Sequence, residues 1–280
     1  MRRHLLVTND FPPKVGGIQS YLWELWRRLP PEVVAVHTTP YAGADAFDAD
    51  QDFAVSRSRE PVLLPTRSLL RRVGRLADGM DAELVVWDPA LPVGHVAPRL
   101  DRPYAVVLHG AEVTVPGRLP VGRSLLARVL RSASLVICAG GYPAREATRV
   151  AGTELPTVVV PPGVDTDRFR PLDAGERASV RTDLGLPVDA PLVVAVSRLV
   201  PRKGMDTLIR AAVRLRSSQP DLVVAIAGSG RDRRRLEALV ESTGAPVRLL
   251  GRHDLLGGLE GDEDALVVEE MALIRGRVGT

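Results

Sequence analysis

The chain is poor in cysteine and in aromatic side chains, and each shortage excludes a class of protein. Cys138 is the only cysteine, so neither a disulfide framework nor a thiolate metal site is expected, and a reducing compartment is predicted. Its apolar surroundings at 135–139 favour a buried structural thiol. Only 4% of the residues are aromatic, which argues against stacking platforms for single-stranded nucleic acid.

Long apolar runs and two nucleotide-binding glycine motifs are also missing. No run approaches the roughly 18 apolar residues of a membrane-spanning helix, and the apolar stretch at 5–7 is too short for a signal peptide. Neither the G-x-G-x-x-G fingerprint nor the G-x-x-x-x-G-K-[ST] P-loop follows a predicted strand. These absences argue against an NAD(P)-dependent oxidoreductase and against a P-loop NTPase.

The charges are nearly balanced, with a net charge of +3 over 280 residues. The basic residues are mostly arginine and occur in local clusters, which indicates local anionic partners rather than a nucleic-acid-coating surface. Apolar residues make up 45% of the chain and charged residues 25%, as in ordinary globular proteins. The length allows a sizeable core and favours two domains.

Apolar runs that predict strands alternate with helical patterns along the whole chain. Most of these runs are continuously apolar, which is typical of parallel strands covered on both faces. The sequence therefore predicts an α/β protein with two doubly wound, Rossmann-like parallel sheets, in domains 1–162 and 163–280. The predicted strands are 4–8, 33–38, 84–87, 104–108, 135–139 and 158–160, then 192–196, 222–227 and 247–250. The clearest helices are 16–29, 124–131, 205–215 and 232–242.

The second domain is expected to be incomplete. Three strands are predicted in it against six in the first, and the periodicity fades after Gly251. The segment 257–264 is acidic and loop-like, and 265–274 fits either a short helix or a strand. A three-stranded sheet would leave an apolar edge and face uncovered.

The segment 192–204 says most about function. A buried strand ends just before Arg198, and a helix begins just after Lys203. Open α/β sheets bind ligands at the carboxyl ends of their strands. A guanidinium and an ammonium five residues apart suit a diphosphate that gains charge as it leaves. The alternative is a solvated loop that happens to carry two cations.

Two more segments follow predicted strands of the first domain. Gly16 and Gly17 open a helix, so a phosphate could approach its first amides; a flexible turn is the alternative. His109 comes just past the strand 104–108 and is interpreted either as a site residue or as a structural histidine. Glu112 either orients this histidine or caps a loop.

Three further patterns have simpler explanations beside a functional one. The D-x-D strings at 165–167 and 262–264 fit a turn and an acidic tail better than metal sites. The turn at 228–230 suits phosphate binding, but packing suffices to explain it. The stretch 66–76 is an amphipathic helix that suits either an anionic membrane surface or an ordinary protein surface. Its arginines are Arg67, Arg71, Arg72 and Arg75.

Together these motifs resemble the retaining GT-B glycosyltransferases of family four, and most closely the actinobacterial phosphatidylinositol mannoside mannosyltransferases. The resemblance covers about residues 4–252. It rests on TNDFPP at 8–13, GGIQSY at 16–21, LHGAE at 108–112, PPGVD at 161–165, SRLVPRKGMD at 197–206 and GSGRD at 228–232.

The resemblance implies a role for each matching position. Arg198 and Lys203 would hold the diphosphate of a nucleotide sugar, typically GDP-mannose, and stabilise it as leaving group. Gly16 and Gly17 would let the donor and acceptor approach, His109 would contact the donor sugar, and His253 would touch the nucleobase. The acceptor would be an anionic phosphoinositide glycolipid at the inner leaflet, reached by peripheral contact from the cytoplasm. No metal cofactor would be needed.

The chain also departs from the family pattern. The E-x7-E motif that binds the donor is expected further along, and the string 258–261 and Glu269-Glu270 lack its context. Members of the family run about a hundred residues longer, so a truncation or a frame shift after about residue 252 is expected. The alternative function is therefore a truncated, inactive nucleotide-binding remnant.

Overall fold

The computed structural model describes residues 1–167 and 169–251. The chain divides into two compact units, Met1–Val164 and a second unit from Asp165 onward. Each unit holds a parallel β-sheet with helices between its strands, so the predicted α/β class with two Rossmann-like sheets is confirmed. The predictions for His253, for the second D-x-D string and for the glutamates beyond 251 lie outside the described residues.

The first unit contains a seven-stranded parallel sheet in the order β3-β2-β1-β4-β5-β6-β7. The chain moves outward from β1 to β3 and then crosses to β4, so the strand order reverses between β1 and β4, the usual ligand-binding point of such sheets. The strands are β1 (His4–Thr8), β2 (Val34–Thr38), β3 (Ala54–Arg57), β4 (Leu84–Asp88), β5 (Tyr104–Leu108), β6 (Leu135–Cys138) and β7 (Thr157–Val159).

The prediction of six strands in the first unit is wrong, because the sheet contains a seventh strand, β3. This strand has four residues, Ala-Val-Ser-Arg, and its side chains are exposed or half-buried. It lies at the edge of the sheet and pairs only with β2. An edge strand needs no continuous apolar run, so it lacks the pattern by which the other strands were recognised.

Six α-helices cover the sheet of the first unit. Side chains alternate along β1: Leu5 and Val7 belong to one apolar core, while Leu6 belongs to the core on the other face. The first core also contains residues of the third, fifth and sixth helices, and the second core contains residues of the first. The helices are α1 (Gly17–Trp26), α2 (Ala44–Ala49), α3 (Arg67–Gly79), α4 (Ala111–Arg118), α5 (Pro120–Ser132) and α6 (Gly141–Ala151).

The amphipathic helix predicted at 66–76 is α3, and its apolar side faces the protein. The Thr66 side chain caps it by accepting a hydrogen bond from the Leu69 amide at 3.1 Å. Leu69 and Val73 are buried in the core against the sheet. The apolar side of α3 is therefore unavailable to lipid, which corrects the membrane interpretation of that side and favours the surface-helix alternative.

The second unit contains a three-stranded parallel sheet in the order β10-β9-β8 among the described residues. Its core is built from these strands and from the helix after β8, which buries Ile209 and Ala212. The three strands agree with those predicted for this domain. The elements are α7 (Ala174–Asp183), β8 (Leu192–Val196), α8 (Met205–Leu215), β9 (Val223–Ala227), α9 (Arg233–Thr243) and β10 (Val247–Gly251).

Gly228 and Gly230 let the turn after β9 lie against the segment after β8. Both have positive φ angles, 139° and 152°. A Cβ atom at Gly228 would lie 2.0 Å from the Ser197 carbonyl oxygen, and one at Gly230 would lie 2.3 Å from that of Leu199. Backbone packing therefore explains both glycines of this turn, as the simpler interpretation held.

Candidate active site

The carboxyl ends of β1, β4 and β5 bring three polar side chains together in the first unit. Thr8 lies opposite Asp88 in the parallel register of β1 and β4. The Thr8 hydroxyl donates to Asp88 Oδ2 at 2.7 Å, and Asp88 Oδ1 lies 2.8 Å from Nε2 of His109. Asp88 is buried and the His109 side chain is 12% exposed. The predicted site residue His109 is thus held by a buried carboxylate at the point where the strand order reverses.

The two members of the Asp88–His109 pair shift each other's protonation. Burial lowers the pKa of His109, but the hydrogen bond and charge of Asp88, with smaller contributions from Glu112 and Asp10, raise it above its usual value. Burial raises the pKa of Asp88, although its bonds to His109 and Thr8 act in the opposite direction. The pair therefore retains a proton between carboxylate and imidazole at a higher pH than an isolated histidine would.

The loop between β1 and α1 is tied to the same network through Asp10. The Asp10 amide donates to Thr8 Oγ1 at 2.8 Å. Asp10 Oδ1 accepts from Lys14 Nζ at 2.8 Å and from Gln19 Nε2 at 2.6 Å. These bonds join the start of α1 to the Asp88–His109 pair.

Gly16 and Gly17 have different surroundings at the start of α1. A Cβ atom at Gly16 would lie 2.3 Å from Oε1 of Gln19, whereas one at Gly17 would meet nothing within 4 Å. Gly17 is exposed and is the first residue of α1. The first amides of a helix have no intrahelical partner, so the open space beside Gly17 fits an anionic group.

Glu112 acts as a loop cap. Its Oε1 accepts hydrogen bonds from the backbone amides of His109 and, at 2.7 Å, of Gly110. Tyr21 of α1 packs edge-on against the His109 ring with 5.3 Å between the ring centroids. The Tyr21 hydroxyl donates to the Val160 carbonyl at 2.7 Å. The backbone before His109 and the imidazole ring are both fixed by these contacts.

Cys138 lies at the carboxyl end of β6 and is fully buried. Burial, with the nearby charge of Glu112, raises its pKa to about 11. The side chain is therefore a thiol at neutral pH, as the structural interpretation of this cysteine expects.

In the second unit, Arg198 follows β8 at the carboxyl end of the sheet. The residues on either side of it form backbone hydrogen bonds with β9 and with the turn after β9. The Ser197 amide donates to the Ala227 carbonyl at 3.0 Å, and the Leu199 amide donates to the Ser229 carbonyl at 2.7 Å. Leu199 is also fully buried. The backbone of Arg198 is therefore fixed. Its Nε is buried and has no hydrogen-bond partner among the described residues.

Lys203 lies in a short 3-10 helix, Pro201–Lys203, that leads to the N-terminus of α8. Its amide donates to the Val200 carbonyl at 3.0 Å, and its side chain is half-buried. The structure thus places both predicted cations of this unit at the carboxyl end of β8, beside a helix N-terminus. A buried, unsatisfied guanidinium nitrogen at such an edge is suited to an anionic ligand.

The sequence analysis selects His109, Gly16, Gly17 and Arg198 as candidates but does not select the residues that hold them. Asp88 directly follows the predicted strand 84–87, so the criterion that selected His109 also selects Asp88. Thr8 and Asp10 could not be assigned, since their role depends on which strands are neighbours. The first D-x-D string forms a turn in which Asp165 Oδ1 accepts from the Asp167 amide at 3.1 Å.

Within residues 1–167 and 169–251, no group of three or more His, Cys, Asp or Glu side chains is placed to hold a metal ion. In the same ranges, every helix is too short or too polar to span a bilayer. Both findings concern only these ranges.

Solved structures with the same fold include glycosyltransferases. Anabaena Alr3699/HepE in complex with UDP is 20% identical, with a TM-score of 0.73, over 91% of this chain and 70% of that one. WaaG, a glycosyltransferase involved in lipopolysaccharide biosynthesis, is 20% identical, with a TM-score of 0.60, over 90% and 70%. The expected GT-B fold class is therefore confirmed.

Sequence relatives are more similar to this chain. A GDP-mannose-dependent alpha-(1-6)-phosphatidylinositol monomannoside mannosyltransferase of Mycolicibacterium smegmatis is 38% identical over 86% of this chain and 64% of its own length. The enzyme of the same name from Mycobacterium tuberculosis is 37% identical over 94% of this chain and 69% of its own length. The chain thus spans about two thirds of each relative.

Two family models match the chain in succession. The model for Glycosyltransferase Family 4 matches residues 15–168, and the model for Glycosyl transferases group 1 matches residues 176–257. The first match covers more than half of the chain and includes Gly16, Gly17 and His109. The second includes Arg198 and Lys203. The chain therefore belongs to glycosyltransferase family 4.

Proposed function

We propose that this chain carries the machinery of a retaining mannosyltransferase that moves mannose from GDP-mannose to a phosphatidylinositol mannoside. The mycobacterial relatives named for this donor and this class of acceptor, 37% to 38% identical, support the proposal. The alternative of an inactive remnant is not favoured, because the similarity extends over 86% to 94% of the chain.

The observation that carries the proposal is the state of Arg198. Its Nε is buried without a hydrogen-bond partner among the described residues, on a backbone fixed by bonds to β9 and to the turn after β9. A diphosphate would satisfy this nitrogen and would gain charge as the glycosidic bond to it breaks. Fixed cationic donors such as Arg198 and Lys203 stabilise that developing charge more than the ground state.

The first unit supplies groups for the sugar. With His109 Nε2 held by Asp88, the ring nitrogen that remains for a ligand is Nδ1. The raised pKa of His109 keeps the imidazole protonated over a wider pH range, so it acts as a charged donor near the reacting carbon. The open space beside Gly17 admits the phosphate or the acceptor to the first amides of α1.

The proposal includes no metal cofactor, because a guanidinium and an ammonium take the place of a divalent cation at the diphosphate. Chelation by EDTA is expected to leave the transfer rate unchanged. A rate that falls with EDTA and recovers with added Mg²⁺ or Mn²⁺ would contradict this part of the proposal.

We further propose a cytoplasmic location with peripheral contact at the inner face of the plasma membrane, since the proposed acceptor is a membrane lipid. The structure limits what α3 adds to such contact. Arg67, Arg71 and Arg75 are exposed, but the apolar side of the helix is in the core. Arg72 forms a bidentate ion pair with Glu60 at 2.7 and 3.1 Å. This helix therefore offers charge without an apolar anchor.

The test compares two arginines of one loop. Arg198→Ala should lower transfer from labelled GDP-mannose to phosphatidylinositol monomannoside by about a hundredfold, as for loss of one preorganised donor. Arg202→Ala, four residues away on an exposed position, removes the same charge and should change the rate by less than about threefold. The measurement is kcat/KM for the wild-type chain and for both variants.

Competition with free nucleotides tests the donor base separately. GDP should inhibit transfer, and UDP should inhibit more weakly.

Equal losses for the two alanine variants would show that Arg198 acts only through local charge. Transfer from UDP-glucose but not from GDP-mannose would overturn the donor assignment.

A further inference from the structure

We propose that the first unit binds an anionic lipid bilayer through a surface formed by α4 and the start of α5. This surface, the apolar–basic ridge, consists of Val115, Arg118, Leu119, Val121, Arg123 and Leu125. The inference rests on the proposed function in taking the acceptor to be a membrane lipid. It assigns the lipid contact to residues that are separate from the arginines of α3.

Four large apolar side chains of the ridge are exposed within eleven residues. Val121 is 73% exposed, Val115 62%, Leu119 59% and Leu125 36%. Single exposed apolar residues are ordinary, but a contiguous group of them marks an interaction surface. Val121 and Leu125 lie one turn apart on α5 and so share a face.

The local fold holds this group together. A Cβ atom at Gly122 would lie 2.7 Å from the carbonyl oxygen of Pro116, so the end of α4 and the start of α5 are in close backbone contact. Gly117 is buried against α6, where a Cβ atom would lie 2.7 Å from Val150. The residues beside these contacts, Val115 and Val121, are therefore kept outside the core.

The charges of this region have one sign. Residues 113–145 contain five arginines and no aspartate or glutamate. Arg118, Arg123 and Arg128 are exposed. The next acidic residue, Glu146, is shared between Arg149, which pairs with it at 2.8 Å, and the nearby charges of Arg118 and Arg145. The ridge thus combines apolar side chains with a net positive charge, as bilayer-binding surfaces do.

The same charges argue against a second copy of this chain as the occupant. Symmetric dimers usually bring identical surfaces together, which would place Arg118 and Arg123 against the same arginines of the partner. Like charges across an interface are costly. An anionic phospholipid surface accepts both the arginines and the apolar side chains.

The position of the ridge also fits a lipid-linked substrate. The helix α4 begins two residues after His109, and its eight residues span about 12 Å. The ridge therefore begins within about 12 Å of His109, the length of α4. An acceptor headgroup could reach the His109 edge while its acyl chains stay in the bilayer.

Vesicle cosedimentation of the whole chain tests the inference without any need for turnover. The vesicles contain phosphatidylcholine alone or with phosphatidylglycerol. Arg118→Gln combined with Arg123→Gln should lower partitioning to the anionic vesicles by about thirtyfold. Val121→Ser combined with Leu125→Ser should lower it at least tenfold. The matched control, Arg71→Gln combined with Arg75→Gln on α3, should lower it by less than about threefold.

Three results would overturn the inference. One is a wild-type chain that ignores anionic vesicles. Another is an equal loss for the ridge and α3 arginine pairs with none for the serine pair, which would indicate diffuse charge attraction. The third is a change of oligomeric state by light scattering in the ridge variants with unchanged vesicle binding. A GDP titration of each variant separates these results from failure of the proposed function.

A site-specific label gives a second readout. Val121→Cys can be coupled to an environment-sensitive fluorophore, because the native Cys138 is fully buried. Its emission should shift to the blue on anionic vesicles, while the same label at Arg71→Cys should not shift. A shift at the α3 position alone would assign the lipid contact to α3 and overturn the inference.

Discussion

Adjacent glycines at the start of α1 allow ligand contact to be separated from folding at the scale of single residues. A methyl group at Gly17 meets nothing in the protein, and alanine is the better helix former. We expect Gly17→Ala to keep the melting temperature or raise it slightly. Transfer should nevertheless fall by about tenfold or more, because the methyl group enters the space assigned to the phosphate. The measurements are kcat/KM and a thermal melt.

Gly16→Ala is the matched comparison. Its methyl group would lie 2.3 Å from Gln19 Oε1, so the Gln19 side chain must move and its bond to Asp10 is disturbed. This variant should lose both stability and transfer. If Gly17→Ala transfers mannose at the wild-type rate, the space beside Gly17 is not used by a ligand.

Asp88 is expected to set the pH range in which His109 is charged. Asp88→Asn keeps an oxygen acceptor for Nε2 but removes the negative charge, so the remaining effect of burial lowers the pKa of His109. The alkaline limb of kcat/KM against pH should therefore move to lower pH. Tyr21→Phe, which removes only the hydroxyl bonded to Val160, should leave the limb in place.

The same shift affects stability. Because the pKa of His109 is raised in the folded protein, its contribution to stability is fully present below the usual value of 6.5 and is lost as pH rises through the folded pKa. An unchanged alkaline limb in Asp88→Asn would show that Asp88 has only a structural role.

The sequence alone selects some of the candidate site residues. His109 and Arg198 were identified because they are polar residues just past apolar runs. Asp88 satisfies the same rule, since it follows the apolar run 84–87. The contact of Thr8 with Asp88 could not be predicted, since it depends on β1 and β4 being neighbours although 80 residues separate the two side chains.

At the scale of elements, α3 shows what periodicity can and cannot establish. The apolar spacing correctly predicted an amphipathic helix, but the same spacing suits a lipid surface and a protein core. We expect Leu69→Ala to lower the free energy of unfolding by about 3 kcal/mol, since Leu69 is 5% exposed and packs in the core. Urea denaturation followed by tryptophan fluorescence measures this change.

Arg71→Ala on the exposed side of the same helix is the control, and its effect should stay within about 0.5 kcal/mol. Equal and small effects for the two variants would mean that α3 is not anchored in the core. The strand β3 is the opposite case: its sequence has too little apolar pattern for a strand to be predicted from it.

At the scale of the whole molecule, buried histidines should make the first unit sensitive to acid. His37 is 1% exposed; burial, and then the charge of Arg72, lower its pKa to about 4 from the usual 6.5. The unfolded chain therefore binds a proton before the folded one does as the pH falls. Stability should decline between pH 6.5 and about 4, by about 3 kcal/mol from His37 alone.

The three tryptophans, Trp23, Trp26 and Trp87, all lie in the first unit, so their fluorescence reports its unfolding. His37→Asn places an amide near Ser56 and cannot be protonated, so its stability should depend less on pH in this range. An identical pH dependence in wild type and variant would assign the acid sensitivity to other groups, such as His4.

The class of fold was predictable at this scale because parallel strands covered on both faces leave long apolar runs. The order of the strands was not, since it is set by how far each connecting segment crosses over the sheet. The residues of both units that were expected to bind phosphate lie at carboxyl ends of strands. That rule depends only on the alternation of strand and helix, which the sequence displays.

The turn at Gly228 and Gly230 has a consequence for genetic studies of this protein. Any side chain there would collide with the backbone on either side of Arg198. A saturation screen scored by growth should therefore find these glycines as intolerant as the arginine, although neither is expected to touch substrate. A screen that scores intolerance alone would therefore count both glycines as catalytic residues. Measuring the soluble yield of each variant beside its activity would show that they act through folding.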